Sequence, residues 1–295
     1  MLTAVETLPV TGKAPSWRRT SRRLLGTPSG LIGAIIVSLY IAIAASGAVG
    51  LTPHPPLAQK PVDRLQGPSS EYWMGTDILG RDVASRVIKG GTNSLYVVVL
   101  SVSLATLAGT LIGITAGFAG GFVDNIAMRI MDIFFAFPAI LLALLVVTIL
   151  GSGINNTVVA IAIVYTPIFA RVARGPVLSL KETEFVQAAN CIGMRRWRVL
   201  LRHILPNTIP PIIVQVSLAL SWALLTEAGL SFLGLGTPPP EPSWGQMLSE
   251  STGIAEIAPW LLFFPGLVIM VSVLGFNLLG DSLRDVLDPR MRGSK

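Results

Sequence analysis

Six apolar runs divide the chain: residues 30–50, 95–117, 130–151, about 155–174, 209–235 and 257–279. A bilayer's hydrocarbon core is about 30 Å thick, and roughly 20 helical residues cross it. Inside that core the backbone must satisfy its own hydrogen bonds, which a helix does within one segment. The sequence therefore predicts an all-α integral membrane protein. The fourth run is the weakest, because Asn155 and Asn156 open it and Pro167 interrupts it; on length alone it also suits a re-entrant segment.

Charge decides the number of crossings. Lys13, Arg18, Arg19, Arg22 and Arg23 precede the first run, Arg129 begins the third, and Arg284, Arg290, Arg292 and Lys295 follow the sixth. Arg171, Arg174, Lys181, Arg195, Arg196, Arg198 and Arg202 lie between the fourth and fifth. Six crossings place these 17 of the 22 Lys and Arg on one face, which the positive-inside rule makes cytoplasmic, both termini included. The expected organisation is a cytoplasmic segment 1–29, a first transmembrane helix 30–50, an extracytoplasmic loop 51–94, a five-helix core 95–280 with a basic loop at 176–208, and a cytoplasmic tail 281–295. The first run exceeds the 7 to 15 residues of a signal-peptide core, so an uncleaved signal anchor is expected. The net charge of +6 needs no nucleic acid to explain it, since basic residues alternating with aromatics, as on an RNA-binding surface, are absent.

Several chemistries have no residues to carry them. The two histidines, His54 and His203, fall on opposite predicted faces, which leaves no His and Cys set for zinc. Cys191 is the single cysteine, so no intramolecular disulfide forms. The sequence lacks the phosphate-binding pattern GxxxxGK[ST], the GxSxG elbow and HExxH. Ionisable residues inside apolar runs remain candidates by default. Asp132 reads as an interfacial acid paired with Arg129 one turn away. Glu227 is a possible pathway residue; it fits a water-filled path or a buried acid bonded to another helix.

Run two places Ser101, Ala105, Gly109, Gly113, Gly117 and Gly121 four residues apart, a ridge on which another helix can approach closely. Before it, "WMGTDILGRDVASRVIKGG" reads as turns followed by a short helix capped by Asp82 and stopped at Gly90 and Gly91. After run five, "GTPPPEPSWGQML" reads as a stiff proline element, with Trp244 suited to the membrane–water boundary.

The basic loop is the most specific feature. Glu184 to Ile192 favours helix, Gly193 is a break, and Met194 to Leu205 is helical again until Pro206. Arg195, Arg198 and Arg202 share one face of the second helix, while Trp197, Leu200, Leu201 and Ile204 share another. Such a pair of helices suits an anionic lipid surface or a groove on a partner protein.

Gln187-Ala188-Ala189, then Gly193, then Leu205-Pro206 resemble the EAA loop of ABC importer permeases. The stretches "GTDILGRDVASRVIKGGTNSL", "GGFVDNIAMRIMDIFFAFP", "LSFLGLGTPPPEPSWGQML" and "FNLLGDSLRDVLDPR" are similar to the dipeptide and oligopeptide (DppC/OppC-type) branch, over residues of about 30 to 292. Gln187 stands where the motif has glutamate, with Glu184 one turn earlier, and His203 stands where an aliphatic residue is usual. The resemblance implies a six-helix, type I ABC importer permease fold in a bacterial plasma membrane. It implies a coupling loop that docks an ATPase through Glu184, Gln187, Ala188, Ala189, Gly193, Arg195, Trp197, Arg198, Arg202 and Pro206. The implied partners are a homologous second permease, two ABC ATPases and an extracytoplasmic substrate-binding protein. ATP and Mg belong to the ATPases; this chain is expected to bind no cofactor and catalyse no bond chemistry. Dipeptides or oligopeptides are the implied cargo. The alternatives are an ATPase-independent secondary transporter and a membrane enzyme using Asp132 and Glu227 as an acid pair.

Overall fold

A computed structural model describes residues 17–287; Lys13, Arg290, Arg292 and Lys295 of the charge pattern lie outside the described residues. Among the described residues the regular structure is helical, and the only β pairing is one bridge between Thr76 and Asp82. A short helix, α1 (Trp17–Leu24), leads into α2 (Pro28–Ala48). Proline starts α2 where no N–H is needed, and the Thr27 hydroxyl accepts from the Gly30 N–H at 3.2 Å. Next come α3 (Val83–Ala119), α4 (Gly121–Phe135), α5 (Ala139–Leu150) and α6 (Ile154–Lys181). The helices α7 (Glu184–Cys191) and α8 (Arg196–Val199) precede α9 (Leu205–Phe232), α10 (Trp244–Ser251) and α11 (Trp260–Leu287). α3 and α6 make the most extensive helix contact, and α2, α9 and α11 complete the bundle around it.

Among the described residues five segments are long and apolar enough to cross a membrane: α2, α3, α6, the run Arg196–Phe232 and α11. The fourth apolar run is a full helix, α6, and the most enclosed of the five. Its asparagine-rich start has a local use: Asn156 donates to the Leu150 and Gly151 carbonyls, satisfying the end of α5. The third run departs from a straight span. α4 and α5 meet at 92° and make a sixth crossing only if counted as one broken span. Pro138 lacks an N–H and pushes Phe137 away from helical geometry, which a continuous apolar run conceals.

The 37 residues of α3 reach about 55 Å, well beyond a hydrocarbon core. Asp82 does cap it, accepting from the Ser85 N–H at 3.0 Å, but the helix does not stop at Gly90 and Gly91. Those glycines let the Trp244 ring lie directly on α3. Trp244 is fully buried rather than interfacial; it donates Nε1–H to the Val87 carbonyl at 2.8 Å and packs 5.0 Å from the Tyr40 ring. A small outer module results, in which residues 51–82 and α10 close over the projecting turns of α3.

A four-residue ion network ties the module together. Arg86, 1% exposed, donates to Glu250 Oε2 at 3.0 Å, Arg81 reaches the same oxygen at 3.2 Å, and both arginines contact Asp77. Removing the Glu250 charge leaves an enclosed guanidinium short of one anion. A charged hydrogen bond contributes about 1.5–3 kcal/mol, less here because Glu250 itself is a third exposed. Glu250→Gln is therefore expected to speed protease cleavage within residues 51–82 several-fold while the membrane helices stay resistant; unchanged cleavage would remove the network from the account.

Candidate functional site

The basic loop folds as two short helices joined by a left-handed glycine. Gly193 has φ of +76°, a conformation that costs an L side chain about 1 kcal/mol or more. Thr183 starts α7, its carbonyl accepting from the Val186 and Gln187 N–H groups. Past Gly193, α8 does not end at Pro206. It widens into one π turn over Leu200–Ile204, with the Leu205 N–H bonded to the Leu200 carbonyl, and runs on as α9. Pro206 sits in the first turn of α9, where its missing N–H and its ring are absorbed by the wide turn. Loop and fifth apolar run are thus one helical rod from Arg196 to Phe232.

The loop's outward surface differs from the expected docking set in part. Glu184, Gln187, Ala188, Gly193, Arg195, Trp197, Arg198, Arg202 and Pro206 are all exposed. Ala189 is not: at 6% exposure it packs inward beside Val186. The apolar face also splits, with Ile204 fully buried and Trp197 and Leu201 half exposed. Two exposed apolar residues escaped the sequence reading, Phe185 and Ile192, the latter 79% exposed beside Gly193. Helical spacing did not mark them: Phe185 lies only about 40° around α7 from the buried Ala189, and Ile192 falls just past the end of the helix. The loop therefore exposes Arg195, Arg198 and Arg202 together with the apolar Phe185, Ile192, Trp197 and Leu201. Arg198 stacks over Trp197, 5.5 Å from the ring centre.

The small-residue ridge of α3 meets α6 of the same chain. A side chain at Gly109 would fall on the Thr166 carbonyl oxygen and one at Gly113 on the Ala170 carbonyl oxygen, and Gly117 lies against Val177. Ser101 and Ala105 are buried along the same helix. Gly121 does not belong to the ridge; it begins α4 with φ of +55° and nothing within 4 Å of its side-chain position.

The two intramembrane acids are not brought together as a pair. Asp132 is exposed and bonded to Arg171 at 2.6 Å, not to Arg129. Arg171 also stacks 3.8 Å over Phe135. Glu227 is fully buried; its Oε1 accepts from Ser231 on its own helix at 2.8 Å, and its second oxygen lies by Ser94 of α3 without a formed bond. Among the described residues no cluster of His, Cys, Asp or Glu is placed to hold a metal ion.

Residues 109–293 match the family described as binding-protein-dependent transport system inner membrane component. The chain is 46% identical over 276 residues to the dipeptide transport system permease protein DppC of Alkalihalophilus pseudofirmus, covering 94% of this chain and 90% of that one. It is also 46% identical over 277 residues to the glutathione transport system permease protein GsiD of Pectobacterium atrosepticum, covering 94% and 92%. Among solved structures, an inward-facing MetNI methionine ABC transporter chain superposes with a TM-score of 0.55 at 17% identity, covering 69% of this chain and 96% of that one. That similarity concerns fold.

Proposed function

The chain belongs to the binding-protein-dependent transport system inner membrane components, and from that premise we propose how this permease subunit of an ABC importer couples to its partners and what it carries. Two ATPases serve the complex, and one docks on the loop between α6 and α9. Phe185, Ile192, Trp197 and Leu201 fill its cleft, and Arg195, Arg198 and Arg202 face its acidic rim. The observation that carries this reading is the exposed, half-apolar and half-cationic surface on a segment continuous with a membrane-crossing helix. Displacing α8 moves α9 as a rod, so closure of the ATPases is transmitted to the bundle without a flexible joint. ATP acts as the ligand that favours one of two packed states.

The Arg195–Arg202 loop and both termini face the cytoplasm, as the distribution of Lys and Arg supports. A homologous second permease completes the path, and an extracytoplasmic binding protein delivers cargo at the opposite face. The cargo is a short peptide, dipeptide through glutathione-sized, a range supported by the relatives' names. ATP and Mg stay on the ATPases. The test is uptake of labelled dipeptide, tetrapeptide and glutathione in cells with and without the partner ATPases. Accumulation of at least one peptide that disappears with the ATPases is expected. Accumulation that persists without them would favour a secondary transporter, and uptake of none of the three would remove the peptide assignment.

A further inference from the structure

The helix α4 divides into three sectors that no straight membrane-spanning helix would show. Phe122, Val123, Ile126, Ile130 and Ile133 are 43–77% exposed and fall within about 100° of arc. The adjacent 60° or so holds Asn125, Arg129 and Asp132, all exposed. Asp124 and Met131, on the remaining side, are the buried residues of the helix. One flank is thus apolar, the next polar, and the third packed on protein. A helix upright in hydrocarbon would turn Asn125, Arg129 and Asp132 to lipid, which is costly for a charged side chain.

Two ion pairs fix its direction. Asp124 is held by Arg174 through two 2.6 Å bonds, and Asp132 by Arg171 at 2.6 Å. The two acids are about 12 Å apart along α4, whereas the two arginines are about 4.5 Å apart along α6. α4 therefore crosses α6 instead of running beside it, in agreement with its 92° turn from α5.

We infer that α4 lies along the bilayer surface on the side of the Arg195–Arg202 loop, with its Phe122 to Ile133 face inserted at the headgroup–acyl boundary. The occupant of that face is lipid. Arg129 sits at the rim between apolar and polar sectors and has no ion pair among the described residues, the position from which a cation reaches lipid phosphate. Continuity favours the same occupant: α3, whose end leads into α4, exposes Leu104, Leu107 and Leu111 along the outside of the bundle. The crossing is then left to α5, about 18 Å of helix, whose last carbonyls are satisfied by Asn156. The inference rests on membrane placement and not on the ATPase-docking reading, so either can fail alone.

The test uses the assembled complex in nanodiscs of phosphatidylethanolamine and phosphatidylglycerol, with Cys191 replaced by serine and one nitroxide at a time at residue 122, 126, 130 or 133, then at 125 or 129. Collision with oxygen and with a water-soluble nickel chelate gives depth. The four apolar positions are expected about 5–10 Å below the phosphates, at depths agreeing to a few Å, while positions 125 and 129 collide mainly with the chelate. A depth change of about 16 Å from 122 to 133, the length of an upright helix, would overturn the inference. So would exclusion of both reagents from all four positions, which would mean a protein neighbour covers the face.

Discussion

Reversing Arg195, Arg198 and Arg202 together to glutamate is expected to lower uptake by about a thousandfold while leaving the amount of chain in the membrane unchanged. All three side chains are exposed on the loop, so the bundle loses no packing. Single exposed charges contribute about 0.2–1 kcal/mol, and a triple alanine variant should therefore lose only about threefold to a hundredfold. Reversal does more, because it sets three anions against an acidic rim, and like charges at an interface cost several kcal/mol. At 1.4 kcal/mol per decade, about 4 kcal/mol gives the thousandfold. Topology should survive, since Arg171, Arg174, Lys181 and Arg196 remain in the segment and added acids weigh little in orientation. Uptake is read beside the quantity of chain in washed membranes; equal uptake by the reversed variant would contradict the docking role.

Gly113→Leu should prevent accumulation of folded chain altogether. The obstacle is the Ala170 backbone carbonyl of α6, which cannot rotate away as a side chain would. Overpacking a well-fitted core costs about 1–3 kcal/mol when side chains can shift, and separating the two helices with the largest mutual contact exceeds that. Membrane helices associate through close packing of small residues, so nothing replaces the lost contact. Gly175→Leu is the matched control, because that position is helical with nothing within 4 Å; the better helix propensity of leucine is offset there by Pro176, which disfavours helical geometry for a preceding side chain. Detergent-extracted monodisperse chain on size exclusion should vanish for Gly113→Leu and persist for Gly175→Leu.

The crossings and the basic loop were legible because both are periodic or compositional features. A run of twenty apolar residues has few other uses, and Arg195, Arg198 and Arg202 recur at helical spacing. The ridge from Ser101 to Gly117 was legible for the same reason, although its partner α6 was not, since small residues do not name what they pack on. The failures came from punctuation. Pro206 reads as a stop, yet proline is harmless in a first turn, and the π turn before it kept the helix continuous. Pro138 reads as part of an apolar run, yet it breaks α4 from α5. Gly90 and Gly91 read as a stop, yet they serve a close approach by Trp244. Ion pairs such as Asp124 with Arg174 join residues far apart in sequence, and spacing carries no trace of them. Burial within the loop, which encloses Ala189, depends on how α7 sits against the bundle.

Copurification tests the central claim most directly. The wild-type chain and an Ile192→Asp, Trp197→Asp variant, both altered positions being exposed, are extracted from membranes in mild detergent and captured, and bound ATPase is quantified by mass spectrometry. The account predicts ATPase with wild type and its loss from the variant at equal chain recovery. ATPase held equally by both, or by neither, would contradict docking on the loop between α6 and α9.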